Sequence, residues 1–153
     1  MTERQLEITM YQCILVPTDG SEITGKAVQA AIALAKAVGA SLSTVCVKEP
    51  FPYSAISEMQ PVPPQEFFDA QERIASGRVK AVADAAAAAG IPCRSVIVEA
   101  LHPWEAILDQ AKAQGCDLIV MASHGRRGLS AMLLGSETQK VLRQSHVPVL
   151  IYR

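Results

Sequence analysis

The chain contains no asparagine, so it offers no acceptor for N-linked glycosylation. No apolar run approaches the roughly 18 residues that a membrane span requires. The opening MTERQLEITM lacks the apolar core of a secretory signal. An N-terminal extension over 1–10 is expected, followed by a single domain over 11–153. Neither sign of charge dominates: 14 Lys and Arg stand against 15 Asp and Glu, which leaves no footprint for nucleic acid and no polybasic membrane patch. None of the four cysteines (Cys13, Cys46, Cys93, Cys116) forms a C-x-x-C pair, and His102, His124 and His146 show no metal-ligand spacing with them. Free cysteines in apolar runs pack as small hydrophobes, and a cytoplasmic location, where thiols stay reduced, fits best. The enzyme signatures G-x-S-x-G, G-x-x-x-x-G-K-[ST] and H-E-x-x-H are all missing.

What the chain does have is a regular alternation of apolar runs and helical repeats. A chain of about 150 residues buries roughly 68–70% of its unfolded surface, enough for one domain with an unstapled core. Cys13 to Pro17 (CILVP) is the expected first strand, and Thr18-Asp19-Gly20-Ser21 then supplies turn and helix-cap chemistry. From Glu22 to Val38 apolar residues recur at helical spacing, and Gly39 marks the end. Leu42 to Val47 is the second strand. Prolines at 50, 52, 61, 63 and 64 make 50–64 an irregular loop, either a functional element or a tolerated insertion. A helix over about Gln65 to Ala89 ends at Gly90, and Pro92 to Val98 is the third strand. Pro103 opens a helix to about Gln114, Leu118 to Ala122 is the fourth strand, Ser136 to Gln144 a helix, and Val149 to Tyr152 the fifth strand.

Strands that are apolar throughout and alternate with helices predict an α/β fold with a parallel sheet covered on both faces. With right-handed crossovers, the expected architecture is Rossmann-like: five parallel strands in the order 3-2-1-4-5, helices on both faces. The order reverses between strands one and four, and ligands bind outside the carboxyl ends of strands at such a reversal. Strand one ends at Pro17-Thr18-Asp19. Strand four runs into MASHGRRGLSAMLLGSET (Met121 to Thr138), which carries Gly125, Gly128 and Gly135 before a helix start at Ser136. Unpaired amides and a positive dipole end make such a start receptive to phosphate.

With ILVPTDGSE near the start and SHGRRGLSAMLLGSETQKVL and VPVLIYR at the end, the chain resembles the universal stress protein family from about Tyr11 to Arg153. The ATP-binding branch of that family carries G-x2-G-x9-G-[ST], and here the spacing reads Ala122-x2-Gly125-x9-Gly135-Ser136. The resemblance is nearer to that branch, with alanine at its first glycine. If that position needs only clearance, a methyl group is tolerated; if it needs positive φ, Ala122 strains the loop. The resemblance implies an adenine nucleotide alpha hydrolase-like fold, ATP as ligand, Mg or Mn as its companion, and a stress-response or regulatory role. It implies that Pro17 lines the base, Thr18 packs nearby, Asp19 accepts from adenine or ribose, and Val47 contacts adenine. Met121 and Ala122 would flank the ribose, and Gly125, Gly135, Ser136, Glu137 and Thr138 would surround the phosphates, Ser136 and Thr138 through hydroxyls as well as amides. Glu137 beside phosphate is repulsive unless it turns to water or helps hold a divalent cation. Arg126 and Arg127 are either phosphate contacts or solvated loop charges.

Plainer roles compete at several positions. Gly128 can serve a turn alone, Gly135-Ser136 a helix cap, and Asp19 the turn it sits in. His124 contacts phosphate or sits exposed, and Trp104 reads as a packing residue. The glycine segment has no lysine for a γ-phosphate, so at most slow ATP hydrolysis is expected and no catalytic residue is assigned. A phosphorelay receiver would need a lysine after strand five, where this chain has Arg153, and an FMN carrier would need a phosphate loop where Thr18 to Glu22 stands. The alternative of another class is a nucleotide-free interaction module with a structural glycine loop. Val149, Leu150, Ile151 and Tyr152 would form a bare apolar edge. A second copy pairing antiparallel about a two-fold axis covers it, as the resemblance also implies, unless Pro148 and Arg153 blunt it in a monomer.

Overall fold

The computed structural model describes residues 10–51, 65–125 and 133–153. Arg126, Arg127, Gly128 and all but the first two residues of the 50–64 loop lie outside them. The elements are β1 (Cys13–Pro17), α1 (Glu22–Val38), β2 (Ser41–Lys48), α2 (Gln65–Ala88), β3 (Cys93–Glu99), α3 (Pro103–Ala113), β4 (Leu118–Ala122), α4 (Ser136–Gln144) and β5 (Val149–Tyr152). The strands form one sheet in the order β3-β2-β1-β4-β5, and every pairing is parallel. That is the order expected from the alternating pattern.

The central strand shows why the apolar runs are continuous. Successive side chains of a strand face opposite sides of a sheet. Ile14 and Val16 pack with Val28, Ala31, Ile32 and Ala35 of α1 and Val82 and Ala86 of α2. Cys13 and Leu15 face the other way, onto Ile107 and Ala111 of α3 and Val141 of α4. Ile14, Leu15 and Val16 have no exposed surface. Neither face can therefore carry a polar residue cheaply, and the alternation typical of a half-wet strand disappears.

Local chemistry sets the ends of the helices. Ser21 Oγ accepts the Thr24 N–H at the start of α1 (3.4 Å), and the left-handed Gly39 closes it, its N–H bonding the Ala35 carbonyl. β3 starts one residue later than the apolar run suggests. Pro92 has no N–H for the ladder, although its carbonyl still accepts the Leu42 N–H at 2.8 Å. Phe51, at the end of the first described stretch, is buried and meets Phe67 of α2 edge to face, with ring centroids 4.9 Å apart. Lys48 and Glu72 add an ion pair (2.7 Å) between β2 and α2. Among the described residues no helix is long and apolar enough to cross a membrane.

Burial separates two leucines sharply. Leu15 is fully buried and Leu101 is 74% exposed. Leu15→Ala is expected to lower the free energy of unfolding by about 2–5 kcal/mol, and Leu101→Ala to change it by less than about 0.5 kcal/mol. Urea denaturation of the two variants side by side checks this.

Candidate functional site

β1 and β4 pair directly in parallel, Ile14 with Leu118 and Leu15 with Ile119, so their carboxyl ends lie side by side. The turn after β1 is tightly tied. The Thr18 N–H extends the ladder to the Val45 carbonyl (2.9 Å), leaving Thr18 buried. Asp19 Oδ1 accepts the Ser21 N–H (2.9 Å) and the Thr24 hydroxyl (2.8 Å), which fixes the first turn of α1. Asp19 is thus a turn residue, as its local chemistry allowed. It also reaches across the crevice, because a methyl group built on Gly125 would collide with its Oδ2. Glycine at 125 is what lets the loop after β4 lie against the Asp19 carboxylate.

Past β4, the chain is pinned at its two ends. The Ser123 N–H bonds the Tyr152 carbonyl (2.8 Å) and the Ser123 carbonyl accepts the Gly135 N–H (2.8 Å). A side chain at 135 would meet the Cα of His124 at 3.2 Å, so this glycine too serves close approach. His124 is half-buried, its Nδ1 3.1 Å from Ser123 Oγ. The first helical bond of α4 runs from the Gln139 N–H to the Gly135 carbonyl (3.0 Å). The amides of Ser136, Glu137 and Thr138 therefore precede the internal ladder of α4 and point out of its positive end.

Ala122 ends β4, is buried, and accepts the Thr138 hydroxyl on its carbonyl (3.1 Å). No described residue other than glycine has positive φ. The conformational reason for a glycine at position 122 is therefore absent, and only the clearance reason remains.

Three residues of the expected phosphate ring have partners within the protein. The Gly135 amide is committed to Ser123 and is not open to an anion. The Thr138 hydroxyl is buried and bonds the Ala122 carbonyl. Glu137 is engaged within the protein: its Oε2 accepts the Trp104 N–H at 2.9 Å, and Oε1 sits 3.4 Å from Lys140 Nζ. The cause lies in α3, which starts His102-Pro103-Trp104 with no side-chain cap of its own. Glu137 supplies that cap from the neighbouring helix, a contact between distant segments that no local motif announces. Trp104 is partly buried against the α3–α4 core, as a packing residue should be. Among the described residues no group of three or more His, Cys, Asp or Glu is placed to hold a metal ion.

Pro17 is half-buried at the end of β1, Met121 and Ala122 are buried at the end of β4, and Val47 packs toward α3 near the end of β2. The structure adds Arg78 of α2, whose side chain lies over Gly20; a methyl group there would meet its Nε at 2.9 Å. Burial pushes the Cys46 thiol above its usual range, and the hydrogen bond from Arg78 offsets part of that rise. Arg78 lies on a helix with ordinary spacing, and only its packing against a positive-φ glycine distinguishes it. Two hollows of about 250 and 330 Å³ lie beside α3 and not over β1 and β4. At the crevice between β1 and β4 the Asp19 carboxylate, Gly125 and the start of α4 meet at the sheet reversal, whereas the hollows are lined by α3, α4, the end of β3 and the turn between β3 and α3.

The sequence model of the Universal stress protein family matches residues 10–153. The chain belongs to the universal stress protein family. It is 35% identical over 144 residues to the Thermus aquaticus universal stress protein in the QAH/OAS sulfhydrylase 3′ region, covering 94% of this chain and 100% of the relative. The solved structure of MJ0577 from Methanocaldococcus jannaschii superposes with a TM-score of 0.75 at 28% identity, covering 93% of this chain and 95% of that one. A universal stress protein solved in complex with cAMP gives a TM-score of 0.66 at 28% identity, covering 94% and 97%. The sheet order is the one shared with these universal stress protein structures.

The contact between Asp19 and Gly125 can be tested directly. Gly125→Ala is expected to destabilise the protein by about 1–3 kcal/mol through overpacking. Combined with Asp19→Ala, it should show a coupling above about 0.5 kcal/mol; strict additivity in a denaturant cycle would mean that the two loops do not touch. Glu137→Ala should cost about 0.5–2 kcal/mol in thermal unfolding by uncapping α3.

Proposed function

We propose that this universal stress protein binds an adenine nucleotide, with ATP the expected form, as a ligand or regulator in a stress response. One observation carries this reading: the amides of Ser136, Glu137 and Thr138 precede the internal ladder of α4, which starts at the same end of the sheet where Asp19 meets Gly125. A helix start of this kind favours a polyphosphate through unpaired donors and dipole together. Pro17, Thr18, Asp19 and Val47 form the adenosine end, Met121 and Ala122 flank the ribose, and the exposed Ser136 adds its hydroxyl at the phosphate end. Gly125 and Gly135 serve by clearance. Glu137 and Thr138 contribute amides, since their side chains are engaged elsewhere. The complex of a 28%-identical family member with cAMP supports the ligand class. Mg or Mn, where it accompanies the nucleotide, rests on phosphate oxygens and water, in keeping with the reluctance of Mg to dehydrate. Turnover is expected to be slow at most, because the glycine segment carries no lysine for a γ-phosphate.

Two further properties belong to this reading. The protein acts as a homodimer paired through β5, which lies at the sheet edge with Leu150 41% exposed. It works in the cytoplasm, where its four free thiols stay reduced.

Calorimetric titration with ATP and with AMP tests the assignment. Wild type is expected to bind, and Ala122→Gly to differ by less than about tenfold, or 1.4 kcal/mol, because no backbone strain is relieved. Gly135→Val, whose side chain would strike His124, should lose binding while circular dichroism reports the fold intact. Absence of any heat with millimolar nucleotide, together with no retained nucleotide in native mass spectrometry, would instead favour a nucleotide-free interaction module.

A further inference from the structure

Far from the crevice, at the opposite end of the sheet, two thiols face each other. Cys13 opens β1 and Cys116 lies in the turn before β4, and their sulfurs are 3.0 Å apart. Each residue is 5% exposed and belongs to the apolar cluster under α3 and α4. The backbone around them is held from several directions. The Cys13 N–H bonds Asp117 Oδ1 (3.1 Å), the Asp117 N–H bonds the Cys13 carbonyl (3.0 Å), and the Cys116 N–H bonds the Ala111 carbonyl (2.8 Å). Ile14 pairs with Leu118, so by the same register Cys13 stands opposite Asp117, with Cys116 one step away. Strands about 4.8 Å apart and a rise of about 3.3 Å per residue put the two Cα atoms roughly 6 Å apart, inside the 4.4–6.8 Å span of disulfides, whose sulfurs need to close by only about 1 Å.

We propose that Cys13 and Cys116 form a reversible intrachain disulfide when the protein meets a peroxide. One thiol gives up its proton and attacks a peroxide oxygen as the thiolate, the O–O bond breaks, and the leaving hydroxide takes up that proton, so that a sulfenic acid and one water result. The second thiol attacks the sulfenic sulfur, the S–O bond breaks, and a second water leaves. In sum two thiols and one hydrogen peroxide give one disulfide and two waters, with the sulfurs oxidised and the peroxide reduced. Burial and the neighbouring Cys13 thiol push the Cys116 thiol well above its usual range, while Arg94, whose guanidinium also bonds the Gln114 carbonyl (3.3 Å), works the other way. The pair therefore rests as a dithiol, and its proximity selects the product once oxidation starts. The bond would link positions 103 apart in sequence, so it restricts the unfolded chain over a long loop. It does not depend on the nucleotide assignment.

Peptide mapping of the full chain decides the matter. The protein is treated with hydrogen peroxide, blocked with N-ethylmaleimide after denaturation, and digested without reductant. The expected product is a Cys13–Cys116 linked pair, lighter by two hydrogens than the separate peptides. Cys46 and Cys93 should carry the label, and the melting temperature should rise by several degrees until dithiothreitol reverses it. Cys93→Ser should leave the link intact, and Cys13→Ser should abolish both link and shift. Recovery of Cys13 and Cys116 as separately labelled or over-oxidised peptides, or of either joined to Cys93 or to a second chain, would overturn the proposal. Should Cys13→Ser fail to fold, the wild-type map still gives the answer.

Discussion

Ile14 and Leu15 find their partners Leu118 and Ile119 about a hundred residues downstream, and almost every other feature of the molecule follows from that pairing. Closing so long a stretch of chain costs entropy that grows slowly with length. The offset comes from burial on both faces of β1, where α1 and α2 cover one side and α3 and α4 the other. A fully buried Leu or Ile contributes about 1.5–3 kcal/mol relative to exposure. The central strand uses that contribution twice over by alternating its side chains between two cores. Once β1 and β4 are neighbours, the chain segments leaving their carboxyl ends must also be neighbours. The Asp19 turn and the Gly125 loop meet for that reason.

At this meeting point side chains are largely engaged in holding the backbone, and the backbone is what remains for a ligand. Asp19 secures α1, Thr138 secures β4, and Glu137 secures α3. Gly125 and Gly135 are glycines because a carboxylate and a backbone press against them, not because their torsions are unusual. Amides at a helix start supply fixed partial charge with no proton to move, and a carboxylate that caps a neighbouring helix is not available as a base. The same economy places the thiol pair at the far end of the sheet, where oxidation would tie β1 to β4 again by a covalent route.

Much of this was readable along the chain. Apolar runs bounded by Gly and Pro marked all five strands to within a residue or two, and the repeated β-α order dictated a parallel sheet with its reversal between β1 and β4. The glycine spacing and the Asp19 turn pointed to one end of that sheet, where the structure places Asp19 against Gly125. The partners of individual side chains were not readable. Nothing local says that Glu137 bonds Trp104, that Arg78 lies over Gly20, or that Gly135 donates to Ser123, since each links segments fixed relative to one another only by packing.

Pattern and punctuation in the sequence determined which segments are strands and helices, because those follow from periodicity and backbone chemistry within a few residues. They also determined that strand ends, glycines and a helix start would gather at one place. Tertiary structure alone decided that the Gly135 amide and the Glu137 carboxylate are committed to distant partners. It decided as well that Ala122 sits without strain and that Cys13 faces Cys116. Those outcomes depend on distances between residues far apart in the chain, and such distances exist only after both faces of the sheet are packed.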